Sequence, residues 1–289
     1  MSWTERLGAY GVWRGKNGID VPLARTIEQL GFGTIWQGSS PGSDLRAAED
    51  LLDGTESVVV ATGIVNIWKS DPSELADSYH RIVSRHPGRL LLGIGSGHRE
   101  ATPQRTRPLD AISRYLDVLD AGAVPSHDRV ISALGPKMLA IAADRSAGTH
   151  PYLTVPPQTR EAREALGPGS LIAPEQTVVV DPDPVAARRA ARDFLQGYLS
   201  LSNYSRTMRR AGFSDDDFAG GGSDRLVDAI VLHGDPASIA RGIRAHIDAG
   251  ADHVCVQVQP IEGIVAALSK LAVELRLTGP AAHRSIPEG

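Results

Sequence analysis

The stretch Arg89-Leu-Leu-Leu-Gly-Ile-Gly-Ser-Gly-His98 decides how the chain is read. Leu90, Leu91 and Leu92 form an apolar run too short for a helix and of the length of a strand buried on both faces. Gly93, Gly95 and Gly97 follow, and glycine permits sharp bends and close approach because it has no Cβ. His98 then stands at the strand end. A G-x-G-x-x-G dinucleotide fingerprint begun at Gly93 would need glycine at position 98, so that class is excluded. Two readings remain: a tight turn with an incidental surface histidine, or the floor of a site with a titratable group beside it. The neighbouring segments decide between them.

Working backwards, the same alternation repeats. Ser57–Val65 is rich in β-branched residues and predicts a strand closing in Gly63-Ile64-Val65-Asn66. Asp71-Pro72 opens a helix after it, with Leu75, Tyr79, Ile82 and Val83 at helical spacing. Phe32–Gln37 predicts an earlier strand, followed by a helix from Ser43 or Asp44 to Leu52. Leu7–Trp13 predicts the first strand, and Asp20 caps the helix behind it, with Pro22 in its first turn and Gly31 as its stop. Three strand–helix rounds and a fourth strand before His98 demand parallel strands with right-handed crossovers.

Working forwards, Pro108–Leu119 is a helix and Arg129–Leu134 a fifth strand, with Gly135-Pro136 opening a helix to Ala143. Gly148–Leu153 is a short sixth strand, 156–166 a helix and Leu171–Val180 a seventh strand. Residues of about 184–229 form a helical insertion containing Gly220-Gly221-Gly222, either a plain linker or a mobile lid. A helix from Asp235 to Ala249, a strand over Gly250–Val258 and a helix from Ile261 to Leu275 complete the chain. The expectation is an α/β fold, a single-domain (β/α)8 TIM barrel over residues 1–289 with a helical insertion between strands 7 and 8; an open doubly wound sheet is the alternative.

Composition narrows the function classes. The 289 residues carry a net charge of −4, with 42% hydrophobic residues and a pI of about 6.1, so no electrostatic case exists for nucleic acid or an anionic membrane. The one cysteine, Cys255, excludes a disulfide framework or a cysteine metal site. No stretch reaches the ~18 apolar residues of a membrane span and the first residues lack signal-peptide character, so a cytoplasmic protein is expected.

In such barrels chemistry sits at the carboxyl ends of the strands. That rule gathers Trp13, Gln37, Ser39, Asn66, His98, Lys137 and Gln257 around one mouth. A carboxylate pair, a clustered metal set and a G-x-S-x-G elbow are all missing, which argues against a glycosidase, a metal hydrolase and an esterase. An apolar, amide-rich, glycine-lined mouth with one histidine suits a flat aromatic cofactor. Gly135-Pro136-Lys137-Met138 offers free N–H groups and a cation for a phosphate, or is an ordinary helix start. Arg99, Arg105 and Arg107 make the loop after His98 basic, as a solvated loop or as a clamp for an anionic cofactor tail.

These residues resemble the bacterial luciferase-like family of barrel oxidoreductases, especially its actinobacterial branch dependent on the deazaflavin coenzyme F420. The resemblance is strongest in Gly31-Phe-Gly-Thr-Ile-Trp36, Ala61-Thr-Gly-Ile-Val65, Pro87–Gly95 and Leu134-Gly-Pro-Lys-Met-Leu139. It implies a cofactor ring packed at the strand ends beside a non-prolyl cis peptide, which would be Gly63–Ile64. Asn66 would face the ring's polar edge, Gly95, Ser96, Gly97 and His98 its reacting face, Gln37 would join the mouth, and Gly135, Pro136, Lys137 and Met138 would hold the phosphate. Some relatives carry glutamate where this chain has His98, which makes His98 the candidate proton donor or acceptor. The expected function is hydride transfer between F420 and a small organic substrate by a homodimer. The alternatives are an FMN-dependent monooxygenase and a non-catalytic flavin- or deazaflavin-binding protein.

Overall fold

The computed structural model describes residues 2–98, 100 and 107–279. Its strands are β1 Tyr10–Gly15, β2 Thr34–Gly38, β3 Val59–Gly63, β4 Val65–Asn66, β5 Leu90–Gly95, β6 Arg129–Ile131, β7 Gly148–Thr149, β8 Leu171–Ile172, β9 Glu175–Val179, β10 Val231–His233 and β11 Val254–Val258. Every ladder between them is parallel, in the order β10-β9-β11-β1-β2-β3-β5-β6-β7-β8, with β4 also on β5.

Chain continuity closes this sheet into a barrel. β8 and β9 are one run, 171–179, interrupted at Ala173-Pro174, where proline has no N–H to give. One side of the run bonds the β7 segment, through Ala173 N–H to the Thr149 carbonyl (3.0 Å) and Glu175 N–H to that of Pro151 (2.9 Å). The other side bonds the β11 segment: Asp252 N–H donates to the Ile172 carbonyl (2.9 Å) and Cys255 N–H to that of Pro174 (3.0 Å). The expected eight-stranded (β/α)8 barrel is therefore present.

Strand alternation sorts the core into two layers. Val12, Ile35, Val60, Leu90, Leu92 and Val256 face outward against helix residues such as Ile27, Leu52, Ile82, Leu116, Ile243 and Leu271. Trp13, Trp36, Val59, Ala61, Leu91, Val130 and Cys255 face inward and fill the barrel. The helices begin as the sequence predicts: Asp20, Asp71 and Asp235 each accept a backbone N–H of the first turn, beside a proline at N1 or N2.

Three details differ from the sequence reading. Trp3–Leu7 is a short helix, so β1 starts at Tyr10; its signal was the capping box Ser2-x-x-Glu5. The third strand breaks at Gly63–Ile64, and Thr62 bridges the gap by exchanging hydroxyl hydrogen bonds with the N–H and carbonyl of Gly93, both 2.8 Å. The region from 184 holds helices Pro184–Leu195, Ser202–Arg210 and Asp224–Ile230, a 3-10 turn over Asp215–Gly221, and the unexpected β10 beside β9.

Candidate active site

A cavity of about 320 Å³ opens at the carboxyl ends of the strands, within the size range of small-molecule sites. Trp13 from β1, Ser39 and Ser40 after β2, the Gly63–Asn66 turn, Ser96 to His98 after β5, and His150 and Tyr152 after β7 line it. Ser39 and Ser40 take left-handed backbone conformations (φ 60° and 52°), an arrangement that clusters at functional sites.

One side of the cavity is nearly bare backbone. Gly63–Ile64 is a cis peptide, as the resemblance implies, and the Gly63 carbonyl accepts from Trp13 Nε1 at 3.3 Å. A Cβ on Gly63 would lie 2.8 Å from Trp13 Nε1 and 3.0 Å from His150 Nε2. A Cβ on Gly95 would meet the Ile64 side chain at 2.9 Å, and one on Gly97 (φ +54°) would meet Asn66 Nδ2 at 2.5 Å. Asn66 is fixed because its Oδ1 accepts the Trp68 N–H (3.0 Å), which leaves Nδ2 as the group beside Gly97. Trp68 Nε1 in turn donates to the Ser96 carbonyl (2.8 Å) and ties down the loop that carries His98.

His98 is half-buried at the cavity rim. Its Nδ1 lies 3.4 Å from Asn203 Oδ1, and its ring centre is 5.2 Å from that of Tyr204. Two residues on, the Glu100 carboxylate accepts the Ser202 N–H at 3.0 Å. Hydrogen bonds from Ser202 hold that carboxyl at about 2, so it is ionised at neutral pH. The His98 loop is thus joined to the first turn of helix Ser202–Arg210.

The opposite wall is aromatic. Trp13 and Tyr152 have ring centres 5.3 Å apart, Tyr152 and Tyr198 5.6 Å, Tyr152 and Tyr204 6.0 Å, and Tyr198 and Tyr204 5.6 Å. The Tyr152 hydroxyl donates to Gln257 Oε1 at 2.8 Å and lies 3.3 Å from the Tyr198 hydroxyl. Burial raises the pKa of all three phenols, so they remain neutral donors.

Beneath the cavity lies a packed polar layer. Trp36 stacks on His150 with ring centres 4.0 Å apart and planes 16° from parallel. Trp36 Nε1 donates to His253 Nε2 (3.0 Å), so His253 carries its proton on Nδ1 and gives it to the Gly8 carbonyl (2.7 Å). His150 likewise donates from Nδ1 to the Ala173 carbonyl (2.7 Å), and its Nε2 has no hydrogen-bond partner among the described residues. Burial lowers both imidazoles to about 4. Glu175, sealed behind Tyr152, is pushed up by burial to about 7 although it accepts from Thr177 Oγ1 (2.5 Å) and the Leu153 N–H (3.3 Å).

The structure thus gathers Gly63, Ile64, Asn66, Ser96, Gly97, His98 and Met138 around one cavity, with Gly95 packed against Ile64 in the bed behind it. It separates others. Trp36 points into the barrel, so its neighbour Gln37 points out toward the helices; it is 1% exposed and lines no part of the cavity, against the expectation that it joins the mouth. Lys137 is exposed, because the first turn of helix Pro136–Arg145 turns Met138, and not Lys137, toward the cavity. Gly135 and Pro136 line an adjoining pocket of about 280 Å³ that shares Leu134 with the main cavity. Arg99 and Arg105 lie outside the described residues, and Arg107 pairs with Asp110 at 3.7 Å. Sequence reasoning missed Tyr152, Tyr198, Asn203 and Tyr204. The strand-end rule reaches Tyr152, three residues beyond β7, but nothing local marks the other three as wall residues. Gly220–Gly222 joins the 3-10 turn to helix Asp224–Ile230 and contributes nothing to the cavity.

Comparison with known proteins agrees with this geometry. Residues 20–121 match the sequence model of luciferase-like monooxygenases. An F420-dependent secondary alcohol dehydrogenase, solved with an F420–acetone adduct, superposes with a TM-score of 0.70 at 14% identity, covering 93% of this chain and 98% of that one. The F420-dependent tetrahydromethanopterin reductase of Methanopyrus kandleri gives 0.68 at 17% identity, covering 92% and 97%. The FMN-bound oxygenating component of 3,6-diketocamphane monooxygenase from Pseudomonas putida gives 0.69 at 14% identity, covering 94% and 98%. The resemblance read from the sequence is borne out by a luciferase-like match over residues 20–121 and, along the chain, by a shared barrel fold.

Proposed function

We propose that this protein is an oxidoreductase that moves a hydride between coenzyme F420 and a small organic substrate. The observation that carries the reading is the pairing of a glycine-lined bed, Gly63 to Gly97, with a half-buried imidazole, His98, at the rim of the same cavity. A flat ring fits such a bed because no Cβ stands between it and the backbone. Ile64 would support the ring, and Asn66 Nδ2 would donate to its polar edge. The bound deazaflavin supplies the hydride chemistry. The chain's own residues orient the substrate, exclude water and manage the proton: as a carbonyl carbon gains hydride, His98 gives its oxygen a proton, and in the reverse direction His98 takes the hydroxyl proton. Met138, on the cavity, and Gly135-Pro136, on the adjoining pocket, would hold the cofactor's phosphate tail.

Equilibrium binding of F420 and FMN, measured side by side, tests this. Tighter binding of F420 and turnover with the reduced cofactor are expected. Preference for FMN would replace the reading with a flavin monooxygenase, and binding of neither would overturn the site. Tight binding without turnover across carbonyl and alcohol substrates would indicate a carrier or sensor.

A further inference from the structure

We infer that the substrate half of this cavity takes an uncharged, flat, aromatic or conjugated molecule bearing a carbonyl or hydroxyl oxygen, and discriminates against carboxylates and phosphate esters. This rests on the oxidoreductase reading above and adds the substrate class to it.

The first support is shape. Trp13, Tyr152, Tyr198 and Tyr204 form one continuous wall, with neighbouring ring centres 5.3–6.0 Å apart, and Tyr204 continues it to the His98 ring. Aromatic faces prefer other π-systems in offset or tilted contact, at about 0.5–1.5 kcal/mol beyond simple burial. These rings are also held from behind. Tyr152 is anchored on Gln257, and Tyr204 is 6% exposed. A preorganised wall binds a rigid planar partner with little ordering cost.

The second support is charge. Among the described residues that line the cavity, Lys69 alone carries a permanent charge, and it is exposed. The amino end of helix Ser202–Arg210, which would attract an anion, is already taken by the Glu100 carboxylate. Arg210, at the other end of that helix, is spent on the Leu134 carbonyl. Behind the tyrosines lies Glu175, 1% exposed, an acid that offers an anion no countercharge. An anionic substrate would lose its hydration and meet no opposite charge among the described residues of this aromatic wall.

The third support is the polar end. His98 and Asn203 place an imidazole and an amide side by side at the rim, where one substrate oxygen fits while its ring lies on Tyr204.

Equilibrium dialysis with three matched probes tests the inference: 2-acetylnaphthalene, the anion 2-naphthoate, and 2-acetyldecalin as the saturated analogue. They are measured on the cofactor-free protein and again with saturating F420. The expected result is that 2-acetylnaphthalene binds about tenfold or more tightly than either of the others. Saturating F420 leaves it bound, Tyr204→Leu weakens it about tenfold, and Tyr204→Phe retains it. Equal or tighter binding of 2-naphthoate would overturn the charge discrimination, and equal binding of 2-acetyldecalin the stacking. Displacement by F420, or indifference to Tyr204→Leu, would overturn the location. Failure of F420 itself to bind would sink the cofactor reading alone, because the probe ranking is read in its absence.

Discussion

Asn203 Oδ1 lies 3.4 Å from His98 Nδ1, joining the loop after β5 to a helix 105 residues further along the chain. An amide oxygen only accepts, so this contact keeps a proton on Nδ1 and sets the plane of the ring. His98→Ala is expected to lower kcat by about a hundredfold or more, with F420 affinity nearly unchanged. Asn203→Ala acts through His98: kcat should fall by about tenfold with a displaced pH profile, while Asn203→Asp should keep the ring oriented and raise the apparent pKa of His98. Steady-state kinetics across pH checks both, and unchanged turnover in His98→Ala would remove it from the mechanism.

Gly63 is a tight point of the proposed cofactor bed, closed in by two ring nitrogens. Gly63→Ala would place a methyl group 2.8 Å from Trp13 Nε1 and 3.0 Å from His150 Nε2, two ring atoms held by packing on both sides. The expected cost is about 1–3 kcal/mol of stability, with F420 binding weakened by about tenfold or more. Chemical denaturation and cofactor titration read the two effects separately.

Stability should fall in acid. His150, His246 and His253 are held neutral by burial, each lowered to about 4. The unfolded chain takes up their protons below about 6.5, whereas the native protein does so only near 4, so stability drops as pH falls through that window. Glu175 works in the opposite sense: raised to about 7, it makes the native state less stable as pH rises from about 4.5 toward 7. Three groups outweigh one, and between about pH 6.5 and 4.5 the loss should reach about 2–3 kcal/mol per pH unit at its steepest. Urea midpoints across that range measure it; a flat profile would contradict neutral histidines. Glu175→Gln should add stability above about pH 7, by up to about 3 kcal/mol.

Tyr152→Phe tests the aromatic wall without changing its shape. The lost hydroxyl leaves buried Gln257 Oε1 without its donor, at an expected cost of about 1–3 kcal/mol. Stacking survives, so flat probes should bind within about twofold of the parent protein, whereas Tyr152→Leu should weaken them further.

The barrel was legible because its signals are local and repeated: buried strand, Asp-Pro or Asp-x-Pro helix start, glycine stop. The Gly63–Ile64 turn and the His98 loop were legible for the same reason, since each closes a strand on a residue type that performs a backbone task. Gln37 misled because the strand-end rule says which residues are near the mouth and not which face they take; the inward Trp36 fixes that parity. Tyr198, Asn203 and Tyr204 were illegible because their role depends on a long-range return of the chain onto β5 and β7, which no spacing within 184–229 encodes. β10 was hidden as well. Three residues pairing with β9 leave no periodicity of their own.

Trp13 and Tyr152 of the aromatic wall stand at barrel strand ends, but the rest of that wall has a genetic address apart from the bed's. The bed comes from barrel strands before residue 100, whereas Tyr198, Asn203 and Tyr204 come from a segment that makes no rung of the barrel ladder. A change in the length or composition of residues 196–204 would therefore reshape what the cavity accepts while leaving the bed's glycines in register. Exchange of that segment between related barrels should carry substrate preference with it and leave cofactor choice behind.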